Sequence, residues 1–134
     1  MTLPAETMDR LVAEARAIKE RAYAPYSRFR VGAAVLADGQ VFAAPNIENA
    51  SYPLSVCAER NAVAAAVSAG HTSIEAVAVS TDAERPTPPC GGCRQVLNEF
   101  GPDLLVVSDA ASGRAEWRLT ELLPSAFGPA DLLE

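Results

Sequence analysis

Residues 29–44 have the sequence FRVGAAVLADGQVFAA, in which two apolar runs flank the polar segment ADGQ. The Asp38-Gly39 pair within that segment is typical of a tight hairpin turn, because both residues tolerate the positive φ angles that such turns need. The runs at 29–36 and 41–44 are therefore predicted to form adjacent antiparallel strands. This hairpin gives the sheet its first two strands.

The remaining chain alternates predicted helices with predicted strands. Apolar residues at helical spacing predict four helices, located before Pro25, at 57–69, at 94–100 and around Leu122. Short apolar runs predict three further strands, at 74–80, 104–108 and 117–119. Strand–helix–strand units favour right-handed parallel crossovers with helices covering the sheet. We therefore expect an α/β fold, a three-layer α/β/α sandwich around a mixed five-stranded sheet.

Size and charge exclude several classes of protein. A chain of 134 residues with 49% hydrophobic and 21% charged residues is predicted to form one globular domain over residues 1–134. The net charge of −6 argues against nucleic acid and against anionic membranes as partners, since both bind basic surfaces. Charged residues throughout the first thirty positions do not match a signal peptide, so a cytoplasmic protein is expected.

Three cysteines have the most informative spacing in the sequence. Cys57 lies at the start of one predicted helix, and Cys90 and Cys93 lie at the start of another. A helix N-terminus carries unpaired N–H groups and partial positive charge, which stabilise thiolates. Two such helix ends brought together would form a pocket for a metal held by sulfur. The single histidine, His71, rules out a site of two cysteines and two histidines within one chain and is predicted to be a surface residue.

Three protein ligands with one open position are typical of catalytic zinc, whereas structural zinc usually has four. Glu59, two residues after Cys57, is then expected to act as a general acid and base rather than as a ligand. Three thiolates on Zn²⁺ leave one net negative charge. Arg60 lies three residues after Cys57 and Arg94 directly follows Cys93, and both are predicted to offset that charge by hydrogen bonding to sulfur.

Two other interpretations of the cysteines remain at this point. A C-x-x-C segment after a strand can be a thioredoxin-type redox pair, and unligated cysteines are often inert core residues. No tryptophan precedes Cys90, and the redox interpretation leaves Cys57 and Glu59 without a role. Metal binding accounts for all of these residues together.

The segments Cys57-Ala58-Glu59 and Pro89-Cys90-Gly91-Gly92-Cys93 resemble the zinc deaminase signature. The resemblance extends over nearly the whole chain. The sequence is most similar to the small homotetrameric cytidine deaminases. The further matching segments are Tyr23-Ala24-Pro25-Tyr26-Ser27-Arg28-Phe29, Asn46-Ile47-Glu48-Asn49-Ala50, Cys93-Arg94-Gln95-Val96 and Leu122-Leu123-Pro124-Ser125-Ala126-Phe127.

This resemblance implies hydrolytic deamination of cytidine and 2′-deoxycytidine to the uridine nucleosides, with one Zn²⁺ per subunit. It also implies a homotetramer in which neighbouring subunits share active sites. Its substrate-binding residues would be Asn46 and Glu48 at the sugar 3′-hydroxyl, Phe29 and Ala58 in the pocket, and Phe127 in a neighbour's site.

Two rival functions also follow from the sequence. The nearer one is a deaminase of the same fold that acts on another aminated heterocycle, such as the nucleoside antibiotic blasticidin S. The more distant one is a zinc-binding or redox protein without enzymatic activity.

Overall fold

In the computed structural model, which describes residues 3–133, five strands form one sheet. The strands are β1 (Val31–Ala37), β2 (Gln40–Pro45), β3 (Ile74–Thr81), β4 (Leu105–Ala110) and β5 (Gly113–Arg118). Four α-helices accompany them, α1 (Ala5–Lys19), α2 (Ala58–Ser68), α3 (Gly91–Phe100) and the short α4 (Leu119–Leu122). The predicted alternation of helices and strands is confirmed.

The strand order is β2-β1-β3-β4-β5. The first pair is the predicted antiparallel hairpin, with Ala37 opposite Gln40 and positive φ angles of 50° at Asp38 and 79° at Gly39 in the turn. The pair β3–β4 is parallel and its crossover contains α3, whereas β1–β3 and β4–β5 are antiparallel. The sheet is therefore mixed, as expected.

Each face of the sheet carries its own hydrophobic core. One face packs against α1 through alternate small residues, among them Ala34, Leu36, Ala76, Ala78 and Val107. The opposite face packs against α2 and α3 through the intervening residues, among them Ala33, Val35, Val77, Val79 and Val106. Successive strand residues point to opposite faces, so this alternation produces the three layers.

Helix α1 lies unusually close to β1 at Gly32. A Cβ atom added to Gly32 would lie 2.0 Å from the backbone oxygen of Ala15 and 2.7 Å from the backbone nitrogen of Lys19. The same helix is tied to β4 by Arg16, whose guanidinium donates to both carboxylate oxygens of Asp109 at 2.8 and 2.7 Å. Close backbone contact and an ion pair together fix this helix on the sheet.

Two features differ from the sequence-based expectations. The fifth strand begins at Gly113 rather than at 117, and α4 occupies 119–122. Strand β5 is the second strand of a hairpin with β4, and its residues are largely polar and partly exposed. Apolar patterning therefore fails to mark its start. His71, predicted to be a surface residue, is largely buried, since its side chain is 21% exposed, its ring contacts the Asp38 carboxylate at 2.9 Å and it packs beside Phe42.

Among residues 3–133, no helix combines the length and the apolar character needed to cross a lipid bilayer.

We predict that Gly32→Ala destabilises the fold by about 2 kcal/mol or more, because the new methyl group must push α1 away from β1. Chemical denaturation followed by circular dichroism measures the change in the free energy of unfolding. Gly92→Ala is the matched control, since a Cβ there meets no atom within 4 Å and its φ is not positive. An unchanged midpoint for Gly32→Ala would contradict the packing argument.

Candidate metal and substrate site

The three cysteine thiols converge at one edge of the sheet. Cys57 is the N-cap residue of α2 and Cys90 is the N-cap residue of α3, while Cys93 lies in the first turn of α3. The Sγ atoms of Cys57 and Cys90 are 3.9 Å apart, those of Cys90 and Cys93 are 3.3 Å apart, and all three lie within 4.8 Å of one another. The three cysteines are free of disulfides. The N-termini of α2 and α3 therefore lie together, as the sequence predicts.

These separations suit a zinc ion. Zn–S bonds of about 2.3 Å in a tetrahedral site place the sulfur atoms about 3.8 Å apart. The observed spacing is close to that value, and a set of soft thiolate donors selects zinc over the hard cations. Among the described residues, no histidine or carboxylate joins the cluster as a fourth ligand. The donor set therefore fits the open, three-ligand type of zinc site.

The thiols differ strongly in acidity. Hydrogen bonding from Cys93 and Cys90, together with the positive charge of Arg60, lowers the pKa of Cys57 to about 5 despite its partial burial. The same hydrogen bond to Cys57, together with burial, raises the pKa of Cys93 far above its usual value. Of these two thiols Cys57 is therefore the one that ionises more readily, because it accepts the hydrogen bond from Cys93 and lies near Arg60.

Arg60 lies where a charge-compensating cation is needed. One of its terminal nitrogens donates to the backbone oxygen of Ser55 at 3.3 Å. Its buried Nε has no hydrogen-bond acceptor among the described residues, although the guanidinium acts on the Cys57 thiol. A buried donor without an acceptor is costly, and a metal-bound thiolate would relieve that cost.

Arg94 has a different arrangement from the one predicted. Its Nε donates to the backbone oxygen of Pro89 and its Nη1 donates to that of Leu122, both at 2.8 Å. The guanidinium therefore joins the segment before α3 to the end of α4 instead of bonding to sulfur. Proximity in sequence to Cys93 did not predict these partners, because the Arg94 side chain extends from α3 towards the backbone oxygens of Pro89 and Leu122.

Glu59 is buried in the first turn of α2, with 5% of its surface exposed. Burial is the main reason that the pKa of Glu59 rises to about 7, with a further contribution from the nearby Cys57 thiolate. A carboxyl group with a pKa near neutrality can both accept and release a proton at physiological pH. This property is what a proton shuttle requires.

A cavity of about 280 Å³ opens beside the cysteines and Glu59. The predicted site residues Phe29, Asn46, Glu48, Cys57, Ala58, Glu59 and Cys90 all line it. Further lining residues that sequence reasoning missed are Ser27, Val31, Val79, Thr81, Thr87 and Pro88. Most of these come from the ends of β1 and β3 and from the loop before α3. The strand residues could have been identified from the pairing of β1 with β3, which places Val31 opposite Thr81.

Asn46 and Glu48 brace the loop that forms the cavity rim. The Asn46 side chain accepts a hydrogen bond from Val31 N and donates one to Phe29 O, both at 2.9 Å. Glu48 accepts hydrogen bonds from Tyr26 N, Ser27 N and the Ser27 hydroxyl. The two side chains therefore fix the segment 26–31 through hydrogen bonds, and both also line the cavity.

Phe127 lies apart from the cavity of its own chain. Its side chain is 58% exposed, and its backbone oxygen accepts hydrogen bonds from Gln95 at 2.7 Å and from Asn98 at 3.3 Å. Two large exposed side chains, Tyr26 and Tyr52, lie beside the cavity residues Ser27 and Glu48, and further exposed apolar side chains occur at Tyr23, Ile47 and Leu54. Patches of this kind commonly mark surfaces that contact another protein chain.

Comparison with known proteins agrees with this geometry. Residues 5–109 match the model of the cytidine and deoxycytidylate deaminase zinc-binding region. A cytidine deaminase of Halalkalibacterium halodurans is 50% identical over 130 residues, covering 93% of this chain and 98% of the relative. One from Sporosarcina psychrophila is 44% identical over 128 residues, covering 93% of this chain and 94% of the relative.

A solved structure shows the same fold. The crystal structure of cytidine deaminase from Burkholderia pseudomallei aligns with a TM-score of 0.85 at 43% identity, covering 93% of this chain and all of the other. The resemblance inferred from the motifs is therefore confirmed over most of the sequence and over the fold. This chain belongs to the cytidine and deoxycytidylate deaminase family.

Proposed function

We propose that this protein is a zinc-dependent cytidine deaminase. It converts cytidine and 2′-deoxycytidine, each with one water molecule, into uridine or 2′-deoxyuridine and ammonia, a reaction of pyrimidine salvage. The observation that carries the proposal is the buried Glu59 carboxyl beside three converging thiols at a cavity large enough for a nucleoside. An absorbance assay on cytidine, with and without a chelator, tests it directly.

Cys57, Cys90 and Cys93 are the residues that would hold the zinc ion, one per subunit. When bound, zinc supplies Lewis acidity that brings the ionisation of a water molecule close to neutral pH. Arg60 keeps a positive charge beside the thiolates and so limits the electron density that three sulfur ligands place on the metal.

Glu59 moves the protons of the reaction. Its carboxylate takes a proton from the attacking water and passes it to ring nitrogen N3, which makes carbon C4 of cytosine electrophilic. Once the water oxygen has added to C4, the carboxylate takes the remaining proton of the new C4 hydroxyl group and delivers it to the 4-amino group, so the C4–N bond breaks, the C4 carbonyl forms and ammonia leaves. The pKa of about 7 lets Glu59 serve in both directions.

The cavity rim binds the sugar and the cavity wall binds the base. Three of the roughly four acceptor positions of the Glu48 carboxylate are used by Tyr26 and Ser27, which leaves about one for a ligand hydroxyl. The Asn46 amide retains one free N–H. A single 3′-hydroxyl can donate to Glu48 and accept from Asn46, while Phe29 and Ala58 enclose the rest of the nucleoside.

We further propose that residues 1–134 act as one domain, in the cytoplasm, and assemble as a homotetramer with shared active sites. Thiolate ligands require a reducing compartment, which supports the location. The exposed apolar surface at the cavity rim supports assembly. Phe127 is exposed, does not line the cavity of its own chain and is proposed to complete that of a neighbour.

Glu59→Gln is expected to lose nearly all turnover of cytidine while retaining zinc, because the amide cannot move a proton but fills the same space. Absorbance decay measures turnover, and metal analysis of the purified protein measures zinc. Glu116→Gln, on the exposed strand β5, is the control that removes the same charge elsewhere. A fully active Glu59→Gln protein would refute the assignment.

Arg60→Gln is expected to lower zinc affinity or activity by about 10- to 100-fold, the usual cost of losing a group that supports metal ligands. Competition with a chromogenic chelator gives the affinity. Arg21→Gln, an exposed substitution outside the site, provides the comparison for loss of one positive charge. Zinc affinity and turnover equal to those of the wild type would rule out the charge-compensating role.

Mixing two inactive variants tests the shared site. Phe127→Ala subunits keep Glu59, and Glu59→Gln subunits keep Phe127, so random reassembly restores both groups in about a quarter of the sites if the two come from different chains. Recovered cytidine turnover after co-refolding supports this arrangement, and light scattering checks that the particle is a tetramer. Activity that never exceeds the sum of the separate variants means that each chain completes its own site.

A further inference from the structure

The Ser27 side chain lies between two residues of the proposed sugar-binding rim. Its hydroxyl contacts the carboxylate oxygen Oε2 of Glu48, and its oxygen accepts the backbone N–H of Phe29 at 3.0 Å. An ionised carboxylate can only accept hydrogen bonds, so the Ser27 hydroxyl must be the donor to Glu48. One side chain thus connects the backbone of Phe29 to the carboxylate of Glu48.

The other oxygen of the Glu48 carboxylate is fixed by the same short segment. Oε1 accepts the backbone N–H groups of Tyr26 at 3.0 Å and of Ser27 at 3.2 Å. Only the contact with Oε2 is made by a side chain. Removing the Ser27 hydroxyl would therefore leave only Oε1 of the Glu48 carboxylate hydrogen-bonded, so the position of Oε2 would no longer be fixed.

The backbone around Ser27 is bent to make this arrangement. Arg28 has a φ of 60°, a left-handed conformation that is unfavourable for residues other than glycine, asparagine and aspartate. This conformation brings the N–H of Phe29 back to the Ser27 oxygen, two residues earlier. Such local strain persists where the surrounding contacts hold it, and here they include the Ser27 hydroxyl, the bond from Arg28 N to Ala24 O and the bond from the Asn46 amide to Phe29 O.

We propose that Ser27 is a positioning residue that orients the Glu48 carboxylate towards the 3′-hydroxyl of the nucleoside. This inference rests on the proposed function, because it requires Glu48 to bind the sugar. Hydrogen bonding from Ser27 also lowers the pKa of Glu48, which keeps the carboxylate ionised as an acceptor. The acceptor position that remains is therefore on Oε2, and both residues line the cavity.

A competing explanation is that Ser27 only stabilises the bend before Phe29. The two roles predict different substrate dependence. A residue that acts through Glu48 matters only for nucleosides that carry a 3′-hydroxyl, whereas a residue that shapes the cavity wall matters for every nucleoside.

Steady-state kinetics of Ser27→Ala with cytidine, 2′-deoxycytidine and 3′-deoxycytidine separates the two roles. For the two substrates with a 3′-hydroxyl, kcat/KM is expected to fall about 10-fold, mainly through KM, as for loss of a hydrogen bond to a charged group. For 3′-deoxycytidine the fall is expected to be less than about twofold, because Glu48 has no partner there. Ser27→Thr, which keeps the hydroxyl, should stay within about threefold of the wild type.

Ser112→Ala is the matched control, since this exposed serine lies in the turn between β4 and β5 and its hydroxyl makes no hydrogen bond among residues 3–133. Thermal unfolding checks that Ser27→Ala folds. Calorimetric binding of uridine and 3′-deoxyuridine repeats the comparison without turnover.

Equal losses of kcat/KM for all three substrates, or no loss with cytidine, would overturn the role of Ser27 while leaving the deaminase assignment intact. A wild-type protein that neither converts cytidine nor binds uridine would instead overturn the proposed function and the Ser27 inference with it.

Discussion

The convergence of two helix N-termini at one edge of the sheet is the constraint on which the rest of the site depends. Helices α2 and α3 start with Cys57 and Cys90 as their N-cap residues, so both sulfurs lie at the positive ends of helices. The parallel crossover from β3 to β4 through α3 brings the second helix end to the first. Without that topology, residues far apart in sequence could not present three thiols within 4.8 Å.

The same location gives neighbouring acidic groups different properties. Cys57 is half-exposed and surrounded by donors, which lowers its pKa to about 5, whereas Glu59, two residues later, is buried and has a pKa of about 7. Burial opposes charge on the carboxyl group, and hydrogen bonding favours charge on the thiol. A thiol suited to bind a metal and a carboxyl group suited to move protons thus lie two residues apart, each with its pKa shifted by its surroundings.

Local patterns predicted the parts of the molecule that local physics determines. The Asp38-Gly39 turn, the buried strands and the cysteines at helix starts are each encoded within a few residues, and the structure contains all of them. The predicted start of strand β5, at 117, lies after its observed start at Gly113, because pairing with β4 rather than its own composition makes this polar segment a strand. The hydrogen bonds of Arg94 and the cavity contacts of Ser27 depend on the meeting of distant segments, which spacing alone does not encode.

The carboxyl-terminal region is attached to the helix that carries a metal-binding thiol. Arg94 holds the carbonyl group of Leu122, and Gln95 and Asn98 hold that of Phe127, all from α3. A shortened form that ends before Leu122 would remove these acceptors, leaving Arg94 with only its hydrogen bond to the backbone oxygen of Pro89. Truncation at the carboxyl-terminal side therefore removes contacts of the same helix that carries Cys93, so the two ends of the chain are not equivalent places to shorten it.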